Sequence, residues 1–238
     1  MKLRYSFAIL CIYLMSICLM FSYAETESEQ YEFEYEYEII DDGVCITYYE
    51  GDQPIVIIPE ELDGYKVVSI GDCAFSDVQS LWCVIIPDTV KTIEDFAFFE
   101  SSLKEVYLPR NLESIGISAF ACTDLTSVFI PETVNYIGDA AFYCCSDLTY
   151  VKIMANISEI NYKTFFDCIH LKEVIMPETV TQIGEGAFYR CQSLESIKHY
   201  QQIDTIYEDS FDSCDSLSND VVNYFSLVVK LPANNDKE

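Results

Sequence analysis

Two residue types in this 238-residue chain recur in ways that could support chemistry, cysteine and the carboxylates. Cys122, Cys145, Cys168, Cys191 and Cys214 occupy the same turn of successive stretches of sequence. Thiols in such a register could hold a ladder of metal ions or close as disulfides. No C-x-x-C pair supports a closed zinc site. Equivalent residues on adjacent strands lie about 4.8 Å apart, within disulfide reach by distance alone. Stacked side chains, however, point in parallel rather than at each other. Cys11 and Cys18 lie in the first 24 residues, which leaves nine of the eleven cysteines, an odd number. Buried free thiols acting as small hydrophobes are therefore expected. Cys83 is expected to point outward from its strand, where it could react.

The two histidines give less. His170 sits in the turn between Cys168 and Leu171, and His199 takes an inward strand position. Neither adjoins a distinctive Ser, Cys or Asp motif, so a nucleophilic triad is not supported. Carboxylates are so abundant that a glycosidase-like pair could be chosen anywhere, which makes the choice uninformative. The calcium-loop, phosphate-cradle and dinucleotide fingerprints do not occur. No catalytic residue, metal ligand or cofactor is assigned, and a non-enzymatic protein is expected. Asn156-Ile157-Ser158 is a glycosylation sequon by pattern. Ile157 looks inward, and chance is the better reading.

Charge narrows the partners. Acidic residues outnumber basic ones 40 to 13, for a net charge of −27. Such a chain is repelled by phosphate backbones and by anionic membrane surfaces, so nucleic acid is excluded as a partner. Half of the residues are nonetheless hydrophobic and 14% are aromatic, too many for a disordered acidic tail.

Residues 1–24 read as a signal peptide: Lys2 and Arg4 are followed by an uncharged run over 5–21, then Ser22-Tyr23-Ala24. Cleavage after Ala24 is the preferred reading, with no integral span afterwards, and an uncleaved anchor is the alternative. Residues 25–30 read as an acidic linker. From Tyr31, aromatic residues alternate with glutamates through Glu38, the mark of a half-buried strand. Asp41-Asp42-Gly43 then predicts a hairpin turn, so 31–54 is expected to be an N-terminal β-hairpin cap.

The element that must position everything else is a repeat. Phe75, Phe98, Phe120, Phe142, Phe165, Phe188 and Phe211 are spaced by 23, 22, 22, 23, 23 and 23 residues. Leu81, Leu103, Leu125, Leu148, Leu171 and Leu194 each precede the next phenylalanine by 17 residues. Each unit reads Leu-x-x-Val-x-Ile-Pro-x-x-Val-x-x-Ile-x-x-x-Ala-Phe-x-x-Cys. The first part is a strand with alternate side chains inward, and proline ends it. Val-x-x-Ile is a second short extended segment, and Ala-Phe-x-x-Cys a tight or short helical turn. One unit buries too little to order itself, so the units must stack into a solenoid. The fold class is an α/β, strand-rich solenoid over 55–217, with a C-terminal cap and tail over 218–238.

The stretches IPETVNYIGDAAFYCCSDL (130–148) and MPETVTQIGEGAFYRCQSL (176–194) resemble the signature of BspA-type leucine-rich repeats. IPEELDGYKVVSIGDCAF (58–75) looks like that family's longer half-repeat. Met154 and Tyr200 depart from the pattern by replacing the proline. What the resemblance implies is a secreted or cell-surface protein that binds host or neighbouring-cell proteins in an adhesion-like way.

If Leu, Val and Ile of each strand face in, the residue after Val faces out. That position reads Ile85, Tyr107, Phe129, Lys152, Ile175 and Lys198. With Trp82 and Tyr150 nearby, the candidate protein-binding face is Trp82, Ile85, Tyr107, Phe129, Tyr150 and Ile175. The competing reading is a cross-strand ladder that only stabilises the sheet. A second aromatic column, Phe99, Tyr143, Phe166 and Tyr189, is read as packing between turns. A monomer with a protein ligand is expected. The alternative is a scaffold of a cell-envelope assembly without a host ligand, and a carboxylate-dependent hydrolase stands third.

Overall fold

The computed structural model describes residues 35–233. The expected signal peptide, the linker and Tyr31 and Phe33 lie outside the described residues. Strands β1 (Tyr35–Ile40) and β2 (Gly43–Tyr49) pair antiparallel about a turn at Asp41-Asp42. The chain continues through β3 (Ile55–Ile57), β4 (Glu61–Leu62) and β5 (Tyr65–Ile70). Each later rung then contributes two short strands. These are β6 (Cys83–Ile85) and β7 (Thr92–Ile93), β8 (Glu105–Tyr107) and β9 (Ser114–Ile115), and β10 (Ser127–Ile130) and β11 (Tyr136–Ile137). They continue as β12 (Tyr150–Ile153) and β13 (Glu159–Ile160), β14 (Glu173–Ile175) and β15 (Gln182–Ile183), and β16 (Ser196–Lys198) and β17 (Thr205–Tyr207). Helix α1 (Asn219–Phe225) and β18 (Val229–Leu231) follow.

The first strands of the rungs pair in parallel as β3-β6-β8 and β10-β12-β14-β16. The second strands pair as β1-β2-β5-β7-β9-β11 and β13-β15-β17-β18. The rungs thus form a solenoid of about 22–23 residues per turn. Four of the first strands are followed by a proline that opens a β-turn, since Val90, Leu112, Val134 and Val180 donate N–H to the carbonyls of Pro87, Pro109, Pro131 and Pro177.

The third side of each rung is a hydrogen-bonded ladder without strands. Phe75, Phe98, Phe120, Phe142, Phe165 and Phe188 each donate their N–H to a carbonyl of the following rung, at 2.7–3.0 Å. On this side the chain turns at two left-handed residues per rung, two before and two after the phenylalanine. In the fourth rung these are Ala140 (φ 55°) and Cys144 (φ 55°). Gly186 is the only glycine among them. Non-glycine residues rarely adopt this backbone, so each is held by the ladder around it.

The phenylalanines form the core's spine. Phe98, Phe120, Phe142, Phe165 and Phe188 are fully buried, and consecutive rings stack with centroids 5.2–5.5 Å apart. Both ends of the chain continue the stack. Tyr49 of β2 lies 4.9 Å from Phe75, and Phe225 of α1 lies 4.6 Å from Phe211. Tyr49 also enters the third-side ladder, donating to Ala74 at 2.9 Å.

Two expectations about the repeat are corrected. Cys122 does not share a turn with Cys145. The 22-residue units lose their residue after the third position beyond phenylalanine, so Cys122 aligns with Cys144, and Thr123 aligns with Cys145. Thr123 donates to the Phe120 carbonyl at 2.8 Å and meets the Cys145 thiol at 3.3 Å. His199 does not face inward: it is exposed with φ 58°, which turns its imidazole out. Half-buried Tyr200 packs on the core in its place, 6.0 Å from Phe225.

Candidate functional site

The outward column of the first strands is set by parallel register. Ile57, Ile85 and Tyr107 are aligned across β3, β6 and β8, and Phe129, Lys152, Ile175 and Lys198 across β10 to β16. Inward neighbours Val84, Val128, Val151 and Val174 are fully buried. The alternation that hides valine necessarily shows the residue after it. Phe129 remains 39% exposed, while Ile85, Tyr107, Tyr150 and Ile175 are half-buried. Trp82 stands just ahead of β6 and is 36% exposed.

The sequence-derived face is assembled in part. Ile85 and Tyr107 are register neighbours, and the Phe129 ring meets Tyr150 at 5.6 Å. Tyr107 donates its hydroxyl to Glu105 at 3.2 Å. Ile175 is set apart from Phe129 by Lys152. Sequence reasoning missed Ile57, which extends the apolar column by one rung. Its signal was Val56-Ile57-Ile58-Pro59, the Val-x-Ile-Pro of the unit standing before its first leucine.

This face differs in charge from the chain around it. The strand segments 82–85, 104–107, 126–129, 149–152, 172–175 and 195–198 carry Lys104, Lys152, Lys172 and Lys198 against Glu105, Glu173 and Glu195, a net of +1 in a chain of −27. Lys198 pairs with Glu173 at 3.7 Å. A near-neutral aromatic surface on so acidic a molecule escapes the repulsion felt elsewhere.

Cys83 corrects another expectation. It is fully buried, set in register between Ile55 and Glu105. The thiol is too short to emerge between longer neighbours on strands about 4.8 Å apart. Burial, then the Glu105 carboxylate, pushes it up to about 12, so it is no ready nucleophile.

The other cysteines pack. Cys145, Cys168, Cys191 and Cys214 each donate their thiol to the phenylalanine carbonyl of the preceding rung at 3.0–3.2 Å. Burial raises Cys145 and Cys214 to about 12 and holds Cys168 and Cys191 well above the usual thiol range. Tyr143, Phe166 and Tyr189 stack at 5.1 and 4.8 Å, as their inter-turn packing role requires. Ala121 interrupts that column after Phe99.

His170 places Nδ1 2.7 Å from the Ser146 carbonyl, a structural contact. Burial raises the carboxyls of Glu159 and Asp209, which lie on different rungs. Among the described residues, no cluster of three His, Cys, Asp or Glu is placed to hold a metal ion. A polar groove of about 860 Å³, unmarked in the sequence, runs beside the second strands past Lys66, Lys91, Glu113 and Asn135. Its lining offers hydrogen bonds and mixed charge, with Val68 as an apolar side chain. No described helix is long and apolar enough to cross a membrane.

The family model described as "BspA type Leucine rich repeat region" matches in 6 copies over residues 56–172 and 135–226. The crystal structure of the T. pallidum leucine-rich repeat protein TpLRR is similar at a TM-score of 0.74 and 26% identity, covering 84% of this chain and 97% of that one. The pneumococcal vaccine antigen PcpA has the same fold at a TM-score of 0.57 and 20% identity, covering 76% of this chain and 49% of that one. No curated protein matches the sequence.

Proposed function

The chain belongs to the BspA-type leucine-rich repeat family, and from that premise we propose that it is a secreted or cell-surface protein whose strand face binds another protein without catalysis. The observation that carries this reading is the apolar column Ile57, Ile85 and Tyr107 with Trp82 beside it, followed on the next sheet by Phe129 and Tyr150, on a near-neutral face of a strongly acidic molecule. Aromatic side chains centred on such a face are the usual energetic anchors of protein interfaces. The lysines at the far end of the face add points of attraction for carboxylates on the partner. The basic start and uncharged run of residues 1–24 support export.

The test is capture of extracellular-matrix, plasma and bacterial surface proteins by the immobilised chain lacking residues 1–24. Tyr107→Ser combined with Phe129→Ser should weaken the captured partner's Kd by about 30-fold or more, as loss of two anchors implies. The same pair should cost little stability, since cross-strand contacts contribute about 0.2–1 kcal/mol each. Unchanged affinity in a folded double variant would remove the face from the binding site.

A further inference from the structure

We propose that Cys122 and Cys144 form a modification site, a thiol pair on neighbouring rungs that closes to a disulfide when a small-molecule disulfide oxidises it. Both residues lie two positions after their phenylalanines, Phe120 and Phe142. Both take the left-handed backbone, at φ 57° and 55°, so their side chains leave the chain alike. Cys122 donates its N–H to Tyr143 at 2.7 Å, and Cys144 donates to Phe166 at 2.8 Å. The ladder thus holds the two backbones one rung apart, inside the Cα range a disulfide spans. The two thiols are near enough to act on each other electrostatically.

The pair is also reachable from solvent. Both cysteines are partly exposed, whereas Cys83, Cys145, Cys168 and Cys191 are buried. The equivalent positions of the other rungs hold Asp77, Glu100, Asp167, Arg190 and Ser213. This column therefore faces water, and its thiols are not needed to fill the core. Cys144 lies 3.8 Å from the Asp167 carboxylate, which pairs with Arg190 at 3.3 Å. Burial, and for Cys144 the Asp167 charge, keeps both thiols protonated at neutral pH, so the exchange quickens as pH rises.

The step balances. One thiolate attacks a sulfur of glutathione disulfide and releases one glutathione thiol. The second protein thiolate attacks the resulting mixed disulfide and releases another. Two protein thiols are oxidised, one disulfide is reduced to two thiols, and the protein's two protons end on the glutathiones. Parallel side chains require the two rungs to draw together, so the bond should reopen readily with dithiothreitol.

The reduced chain is incubated with glutathione disulfide at pH 8.5, free thiols are alkylated, and the chain is cleaved after glutamate. Glu132 separates Cys122 from Cys144, so closure appears as a crosslinked peptide pair about 2 Da lighter than its two parts. Cys145→Ser should retain the crosslink, and Cys122→Ser or Cys144→Ser should abolish it, each with an unchanged circular dichroism spectrum. Crosslinking that survives Cys144→Ser would overturn the proposal. So would glutathione adducts on both cysteines with no crosslink.

Discussion

The ring stack makes a prediction that can be worked through. Phe142 is fully buried and lies 5.4 Å from Phe120 and 5.5 Å from Phe165. Phe142→Ala removes the ring from both contacts and leaves a cavity between rungs whose backbones are pinned by the third-side ladder, so the site cannot collapse. Truncating a core phenylalanine costs about 3–5 kcal/mol, and the rigid surroundings place this case near the upper end. For a chain of this size that lowers Tm by about 10–20 °C. Phe142→Leu retains most of the apolar volume and should cost less than half as much. Phe211 also has a ring on each side, Phe188 and Phe225, but it is half-buried, so Phe211→Ala should cost less than Phe142→Ala.

Urea unfolding followed by two probes tests the reasoning. Trp82 is the chain's single tryptophan and lies on the N-terminal side of the break, while far-ultraviolet circular dichroism reports on all rungs. In a solenoid, coupling passes only between neighbours. The two probes should therefore coincide in the parent protein and separate in Phe142→Ala. A loss below about 1.5 kcal/mol, or a Phe211→Ala variant equally destabilised, would refute the stack as the coupling element.

Two substitutions in one turn should act in opposite directions. A Cβ on Gly138 would lie 2.5 Å from the backbone of Gly116, so Gly138→Ala should destabilise by about 1–3 kcal/mol. Ala140 holds a left-handed backbone, so Ala140→Gly should stabilise by about 0.5–1 kcal/mol, both read from urea midpoints. Stability should also fall at alkaline pH. Burial raises Cys145 and Cys214 to about 12 in the fold, above the value of about 8.5 in an unfolded chain. Their contribution is intact below about pH 8.5 and is lost as pH rises toward 12, because the unfolded chain releases those protons first. Urea midpoints should therefore decline above about pH 9, and less steeply in Cys145→Ala.

Side-chain periodicity made the solenoid legible, because inward positions tolerate few residue types. The phenylalanine and leucine spacing located the rungs, and the valine alternation correctly assigned the buried face. Backbone conformation on the third side was not legible. Cys73, Ser118, Ala140 and Lys163 share one left-handed position with no common side chain, and glycine marks it only at Gly186. The ladder enforces that backbone, so no residue type announces it. The Cys122 misalignment has the same root. Counting back from Leu125 matches Cys122 to Cys145, but the missing residue falls between Thr123 and Leu125, and only the Phe120 side fixes the turn. Asn161 is a third case. Its side-chain amide takes the Ile137 carbonyl, where Gly116 and Gly138 offer a backbone N–H to the equivalent atoms. The second-strand sheet is interrupted there, between β11 and β13.

The same division between constrained and free positions bears on the candidate face. Val84, Val106, Val128, Val151 and Val174 repeat one residue because the core admits little else. The positions beside them hold Ile85, Tyr107, Phe129, Lys152 and Ile175, and the strands form with any of these. Lys152 shows that the solenoid accepts a charge in this column. Folding therefore does not require the aromatic residues at Tyr107 and Phe129, and solubility argues against them. In a chain with 40 carboxylates, a column that could have carried more of them carries rings instead. That contrast is a physical argument for contact with a partner, and it rests on the outward residues rather than on the fold that displays them.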